Sequence, residues 1–219
     1  MSKQICGEIV MDKVDLVFPT LGSSIPVDHG YPLYSALARP FPVIHHEGSD
    51  IQFCFINGEP AGEGKLRLTS QSCFRLRLGT ALIHQALALA NKLLDISGHK
   101  VRLGAPNVSI LAPAARLYSR FVTIKNNVEP ESFLAKVRER LTERNLEGEA
   151  SIPVHESGPR LGEFHRKVMR IGGKSIVGYP LVLAGLNDED SIRLQAEGIG
   201  GRQRIGAGFF LAVREKQSP

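Results

Sequence analysis

Seven histidines stand at positions 29, 45, 46, 84, 99, 155 and 165. They are the side chains best suited to carry protons near neutral pH. His45 and His46 are adjacent and followed by Glu47, while His29 precedes the stretch Gly30-Tyr31-Pro32-Leu33-Tyr34. Imidazoles so placed could serve as acid and base in a transfer reaction. A metal site is not indicated, because His45 and His46 have no third ligand at the usual spacing. Nor is a serine or cysteine nucleophile, since Gly-X-Ser-X-Gly is absent. A second suggestive segment is Gly198-Ile199-Gly200-Gly201-Arg202-Gln203-Arg204-Ile205-Gly206-Ala207-Gly208. Glycines allow close approach of an anion, exposed backbone N–H groups can contact phosphate, and Arg202 and Arg204 add bidentate cations. A dinucleotide-binding loop follows a strand and opens a helix, the reverse of the order here, and no P-loop lysine is present. A tight structural turn between helix and strand is the competing reading. A third segment, from Arg160 through His165, Arg166 and Lys167 to Arg170 and Lys174, is basic, with Phe164 as its one aromatic. It could hold phosphates or protect a strand edge by its charge. Arg116, Arg120 and Lys125 are further cations for such a surface.

The elements that must position these residues follow from periodicity. Lys13 to Phe18 alternates apolar and polar and predicts a strand. Tyr34 to Arg39 predicts a short helix that Pro40 and Pro42 end. Ile51–Ile56, Lys65–Thr69 and Cys73–Leu78 predict extended chain, and Gly79–Leu94 a long helix with Ile83, Leu87, Ala90 and Leu94 on one face. On that reading His84 lies on a helix face and His99 in a turn. Two strands, His99–Leu103 and Val108–Leu111, close the half. Ala112 to Ala115 predicts a hinge. The order then repeats: strand Arg120–Ile124, helix Glu131–Asn145, a hairpin Val168–Leu183 turning at Gly172-Gly173, helix Asp188–Glu197 and strand Phe209–Val213. Two βαββαβ units in series predict an α+β chain of tandem ferredoxin-like (RRM-like) domains, residues 1–113 and 114–219.

With 219 residues and 42% hydrophobic content, the chain has room for two small domains that pack together. A net charge of +5 permits an acidic partner without requiring one. Cys6, Cys54 and Cys73 lack metal-knuckle spacing and leave one thiol over from any pair, which reads as reduced thiols in a cytoplasm. No apolar stretch is long enough for a bilayer and the first residues lack a signal-peptide core, so an intracellular protein without a membrane is expected.

The pair Gly198-Ile199-Gly200 and Gly206-Ala207-Gly208, set between the last helix and last strand of a second ferredoxin-like unit, resembles the glycine signature of the repeat-associated CRISPR proteins. Asp28-His29-Gly30-Tyr31-Pro32-Leu33-Tyr34, the run Leu194 to Gly198 and the loop Gly200 to Arg204 are similar to the sixth Cas family, and within it to the short myxan-type branch. The resemblance spans nearly the whole chain. It implies a metal-independent endoribonuclease of CRISPR repeat RNA, with no cofactor. The RNA's own 2′-OH attacks the adjacent phosphate and leaves 2′,3′-cyclic phosphate and 5′-OH ends. It places the catalytic histidine in or after the first helix, which makes His46 the first choice, His29 the second and His45 the third. It assigns RNA contact to Gly198, Gly200, Gly201, Arg202, Gln203, Arg204, Gly206 and Gly208, and to Arg160, His165, Arg166, Lys167 and Arg170 of the hairpin. The partners it implies are the crRNA stem-loop and other Cas proteins of a type I effector complex. A crRNA-binding subunit of the same superfamily that does not cut remains the alternative.

Overall fold

The computed structural model describes residues 13–46 and 48–213; Cys6, the N-terminal stretch read above and Glu47 lie outside them. The first half runs β1 (Lys13–Leu21), β2 (Ser24–Pro26), α1 (Gly30–Ala38), a 3-10 turn at Pro42–His45, β3 (Gln52–Cys54), β4 (Glu59–Pro60), β5 (Lys65–Arg67), β6 (Cys73–Gly79), α2 (Ile83–Ala86), β7 (Leu93–Ile96), β8 (His99–Leu103) and β9 (Asn107–Ile110). β1 lies between β6 and β9, and β3 pairs the far side of β6, all antiparallel. Four strands in the spatial order fourth, first, third, second are the ferredoxin-like sheet. β2, β5 and β4 form a small separate sheet.

The expected helix over Gly79–Leu94 does not form. Thr80–Leu89 makes three short helical turns, and Leu93–Ile96 is a strand paired with β8. Leu87, on the expected buried stripe, is 45% exposed, while Ala86 and Leu89 are buried. Asn91 takes a left-handed conformation (φ 61) that stops any helix, and Ser97 (φ 52) turns the chain back. Asp95 Oδ1 accepts the Gly98 N–H at 2.7 Å and holds that turn. The alternation of Leu94 and Ile96, buried between exposed neighbours, then wins over the 3.6-residue period. His84 accordingly sits on a four-residue helix.

The second half runs β10 (Arg116–Val122), α3 (Pro130–Glu143), β11 (Glu149–Ser151), β12 (Lys167–Ile171), β13 (Lys174–Ala184), α4 (Asp188–Glu197), a 3-10 turn at Gln203–Ile205 and β14 (Phe210–Ala212). Its sheet has the order β11-β13-β10-β14, the same ferredoxin-like arrangement. The first strand begins earlier than expected, at Arg116, and breaks register between Ser119 and Val122. The second sheet position belongs to β11, too short to leave a sequence period. The expected hairpin turning at Gly172-Gly173 forms, with β12 as its outer arm on the first part of β13, off the path of the four sheet strands. α4 matches its expected bounds: Asn187 caps it through the Asp190 N–H at 2.8 Å, and three acids fill its first turn.

One apolar core lies within the first half and another within the second. A third cluster of Phe55, Phe121, Met169, Ile205 and Ala207 joins the halves, with Tyr34 and Ile171 packed against it. A set of polar contacts fastens the same seam. Arg77 is fully buried; its Nε and Nη2 donate to the Asp15 carboxylate at 2.7 and 2.9 Å, and Nη1 donates to the Gln195 and Phe210 carbonyls at 2.6 and 3.1 Å. Its guanidinium lies 4.1 Å from the centre of the Phe209 ring. Lys13 Nζ and Gln52 Nε2 both donate to the Ala196 carbonyl, at 2.6 and 3.2 Å. The last carbonyls of α4 have no partner within their own helix. Here the first half supplies the donors, two of them cations suited to the negative end of the helix dipole. Among the described residues no helix is long and apolar enough to cross a membrane.

Candidate active site and nucleic-acid interface

α1 starts at Gly30, where any Cβ would overlap the Phe55 ring. Pro32 fits its first turn, and the prolines beyond it redirect the chain into the turn Pro42–His45. That turn folds His45 back onto α1. The Tyr34 hydroxyl and His45 Nδ1 are 2.5 Å apart, with the rings edge to face at 4.4 Å. His45 is exposed, so a bound molecule can reach Nε2. A tyrosine hydroxyl can donate or accept, so this contact suits either tautomer of the imidazole. Tyr31 lies 6.4 Å from Tyr34 and is 38% exposed, which extends the aromatic surface. His46 is also exposed, on extended backbone.

His29 is placed differently. It is fully buried, stands edge-on to Phe55 at 5.7 Å, and its Nδ1 bonds the Pro26 carbonyl at 2.8 Å. Burial, with Arg120 nearby, pushes its imidazole down to about 4, and its Nε2 has no protein partner. It is neutral at pH 7 and sealed from solvent, so the structure does not bring it together with His46 as an accessible acid–base pair. It packs under the start of α1.

The glycine segment splits into two parts. Gly198, Gly206 and Gly208 are buried and Gly200 half-buried. Gly198 (φ 66) and Gly208 (φ 69) sit back to back, each where a Cβ would overlap the other strand's carbonyl, of Gly208 and Ile199 respectively. The N–H groups of Gly198, Gly201, Gly206 and Gly208 already bond Leu194, Thr123, Gln203 and Phe121 carbonyls. These N–H groups are therefore not free for phosphate, as the sequence had suggested; the glycines serve close packing. What projects is Gly201 and Arg202, with Gln203 and Arg204 half-exposed. Arg202 adopts φ 60, an uncommon conformation for a residue with a side chain. Arg202–Ile205 forms one wall of a cavity of about 430 Å³ whose other wall is Ser49–Gln52, the segment just after His46. Ser49 Oγ and Gln52 Oε1 are buried there without a protein partner. The turn of the second half and the Ser49–Gln52 segment of the first thus share one hollow.

The basic hairpin borders α1 on its other side. Asp28 Oδ2 accepts the Arg170 N–H at 2.9 Å. Arg166 and Arg170 are exposed and Lys167 half-buried. Arg160 lies in an exposed loop, and the His155 and His165 rings meet at 4.1 Å, tilted by 48°, across its base. Arg120 rests 5.4 Å from the Phe55 ring centre. Sequence reasoning missed Tyr34 and the buried Arg77; the i, i+3 spacing of Tyr31 and Tyr34 was the available signal for the first.

Two ferredoxin-like sheets joined at a seam, with an arginine-bearing glycine turn facing Ser49–Gln52 across it, are the frame that known proteins share. A family profile described as Cas6 Crispr matches residues 14–215. A CRISPR-associated endonuclease Cas6 of Myxococcus xanthus (strain DK1622) is 34% identical over 198 residues, covering 90% of this chain and 80% of that protein. Among solved structures, a CRISPR-associated protein Cas6 superposes with a TM-score of 0.60 at 13% identity, over 92% of this chain and 99% of that one. A RAMP protein that binds different RNA substrates gives 0.61 at 14%, over 92% and 99%. The CRISPR endoribonuclease Cse3 bound to a 19-nucleotide RNA gives 0.53 at 10%, over 93% and 100%. The chain belongs to the Cas6 family of CRISPR-associated proteins.

Proposed function

We propose that the protein is an endoribonuclease that cuts CRISPR repeat transcripts without a metal, using the Tyr34–His45 pair beside the Arg202–Arg204 turn. The pair itself carries this reading: an exposed imidazole, held by a hydroxyl, in the segment after the first helix. A base removes the proton of the 2′-OH, whose oxygen attacks the adjacent phosphorus. The bond to the 5′-oxygen breaks, and that oxygen takes a proton from an acid. As a neutral imidazole whose Nδ1–H donates to the Tyr34 oxygen, His45 presents Nε2 as a base; as the imidazolium it keeps that bond and offers Nε2–H as the acid. His46, adjacent and exposed, is the second proton carrier. Arg202 and Arg204 offset the charge that builds on the phosphorane. His29 supports α1 rather than touching RNA. In this reading residues 1–113 and 114–219 are the two domains. The enzyme works in the cytoplasm on repeat RNA, stays on the crRNA stem-loop and joins other Cas proteins of a type I complex.

The test is cleavage of the host's repeat RNA in EDTA with both ends mapped. A 2′-deoxy nucleotide just upstream of the cut should abolish it. His45→Ala should lower the rate by roughly a hundredfold or more, and Tyr34→Phe by less. Cleavage that needs magnesium, or survives the deoxy substitution, refutes the chemistry. If His45→Ala and His46→Ala both process RNA at the parental rate, a different site carries the proton transfers; if the parental chain binds repeat RNA and leaves it uncut, the non-catalytic crRNA-binding reading takes over.

A further inference from the structure

Beyond the cleavage site, a separate hollow of about 280 Å³ lies where the segment before α1 meets β10 and β12. Arg120, Arg166 and Lys167 line it with a single carboxylate, Asp28, and its walls include Phe55 and Val168. We propose that this hollow seats one unpaired nucleotide of the transcript, its phosphate on the three cations and its base against Phe55 and the Arg120 guanidinium. The proposal rests on the RNA-processing reading and names a part of the substrate that reading leaves open.

Size favours a single nucleotide. The hollow is near the small end of ligand pockets, roughly 300 Å³ and upward, and far too small for a paired stem. Chemistry favours an unpaired one. A base stacked on an arginine plane or an aromatic ring must be free of its own helix, which is how single-stranded RNA is read. Arg120 is suited to that role, being half-buried, tied to the Ile56 carbonyl through Nη1 at 3.4 Å and already over Phe55. Asp28 gives one oxygen to the Arg170 N–H, and its other oxygen can accept from a base amino or imino group. Burial, aided by Arg120, pulls the Lys167 ammonium down to about 8, so an incoming phosphate would relieve an existing strain on its charge. Location fits as well. From Gly30, beside this hollow, to Tyr34 is about 6 Å along the axis of α1, so its occupant would be a near neighbour of the scissile phosphate on one strand.

The test compares a fluorescein-labelled repeat RNA carrying its single-stranded flanks with the same hairpin trimmed of them, by anisotropy on the full chain. Val168 is 44% exposed, so Val168→Asp puts a carboxylate at the rim without disturbing a core. It should weaken the flanked RNA about tenfold and leave the trimmed hairpin unchanged. Lys167→Ala should weaken the flanked RNA several-fold and lower its salt slope by about one. Equal losses on both RNAs, or no loss on either, overturn the proposal while leaving the nuclease reading in place. Wild-type protein that binds a shuffled RNA as well as the repeat overturns both.

Discussion

Arg77→Met is the most searching test of how the two halves are held. The change keeps much of the side chain's volume but removes all four hydrogen bonds made by the buried guanidinium. Asp15, only 4% exposed, is left as an uncompensated carboxylate. Breaking one side of a buried ion pair costs about 3–5 kcal/mol. The Gln195 and Phe210 carbonyls also lose their donor, at about 1 kcal/mol or more each where they stay dry. A total near 5–7 kcal/mol is expected, and at about 2–4 °C per kcal/mol for a chain of this size the midpoint should fall by about 10–28 °C. The second variant separates the two contributions. Asp15→Leu with Arg77→Met removes the stranded charge and should regain about 3–5 kcal/mol, more than half of the loss, leaving the carbonyl cost. Urea unfolding followed by circular dichroism reads both. A single variant that loses less than about 1 kcal/mol, or a double variant no better than the single, would show that the ion pair does not carry the seam.

Three further outcomes follow from the same structure. Lys167 is lowered from 10.5 to about 8 by burial, with Asp28, Arg120 and Arg166 lining the same hollow. RNA affinity should therefore drop as pH rises past 8, and Lys167→Arg should carry it to higher pH in a binding titration; between 8 and 10.5 the folded chain alone has shed this proton, so its stability term rises with pH there. His29 behaves in the opposite window. Its folded value is about 4 against 6.5, so from 6.5 downward the unfolded chain takes up a proton the folded one refuses. Up to about 3 kcal/mol should be lost on reaching pH 4, and His29→Gln should flatten that slope in thermal melts. Gly208→Ala must place a Cβ against the Ile199 carbonyl at φ 69; a loss of 2 kcal/mol or more is expected from the strain and overlap, and unchanged stability would mean the turn relaxes freely.

Much of the frame could be read from the residues, because α3, α4 and the hairpin at Gly172-Gly173 have caps, turns and periods that agree. Where the signals disagreed, tertiary pairing decided. Gly79–Leu94 is apolar nearly all round, so helical spacing could be found in it, yet Asn91 and the Ser97-Gly98 turn fixed a hairpin instead. The glycines of the Gly198–Gly208 segment answer to packing against Phe121 and Thr123, which lie far off in sequence, and against the carbonyl of Ile199 within the segment itself. The alternation Arg75-Leu76-Arg77-Leu78 reads as a strand with one wet face. That face is dry at Arg77, because the other half of the chain covers it, and nothing local announces a covered polar face. The ranking of the histidines turned on the same blindness: only coordinates reveal that His29 is enclosed and that His45 meets Tyr34.

The polar contacts at the end of α4 bear on how such a chain can be divided. Lys13, Gln52 and Arg77 come from one half, and the carbonyls they hold lead straight into the arginine turn of the other. A fragment ending near Leu111 would keep its tyrosine and histidine but lack the arginines, while the remaining fragment would present that turn on a helix whose tail had lost its donors. Mixed together, the two pieces should regain RNA cleavage that neither has alone, as a reconstituted enzyme whose working surface exists only as a joint product.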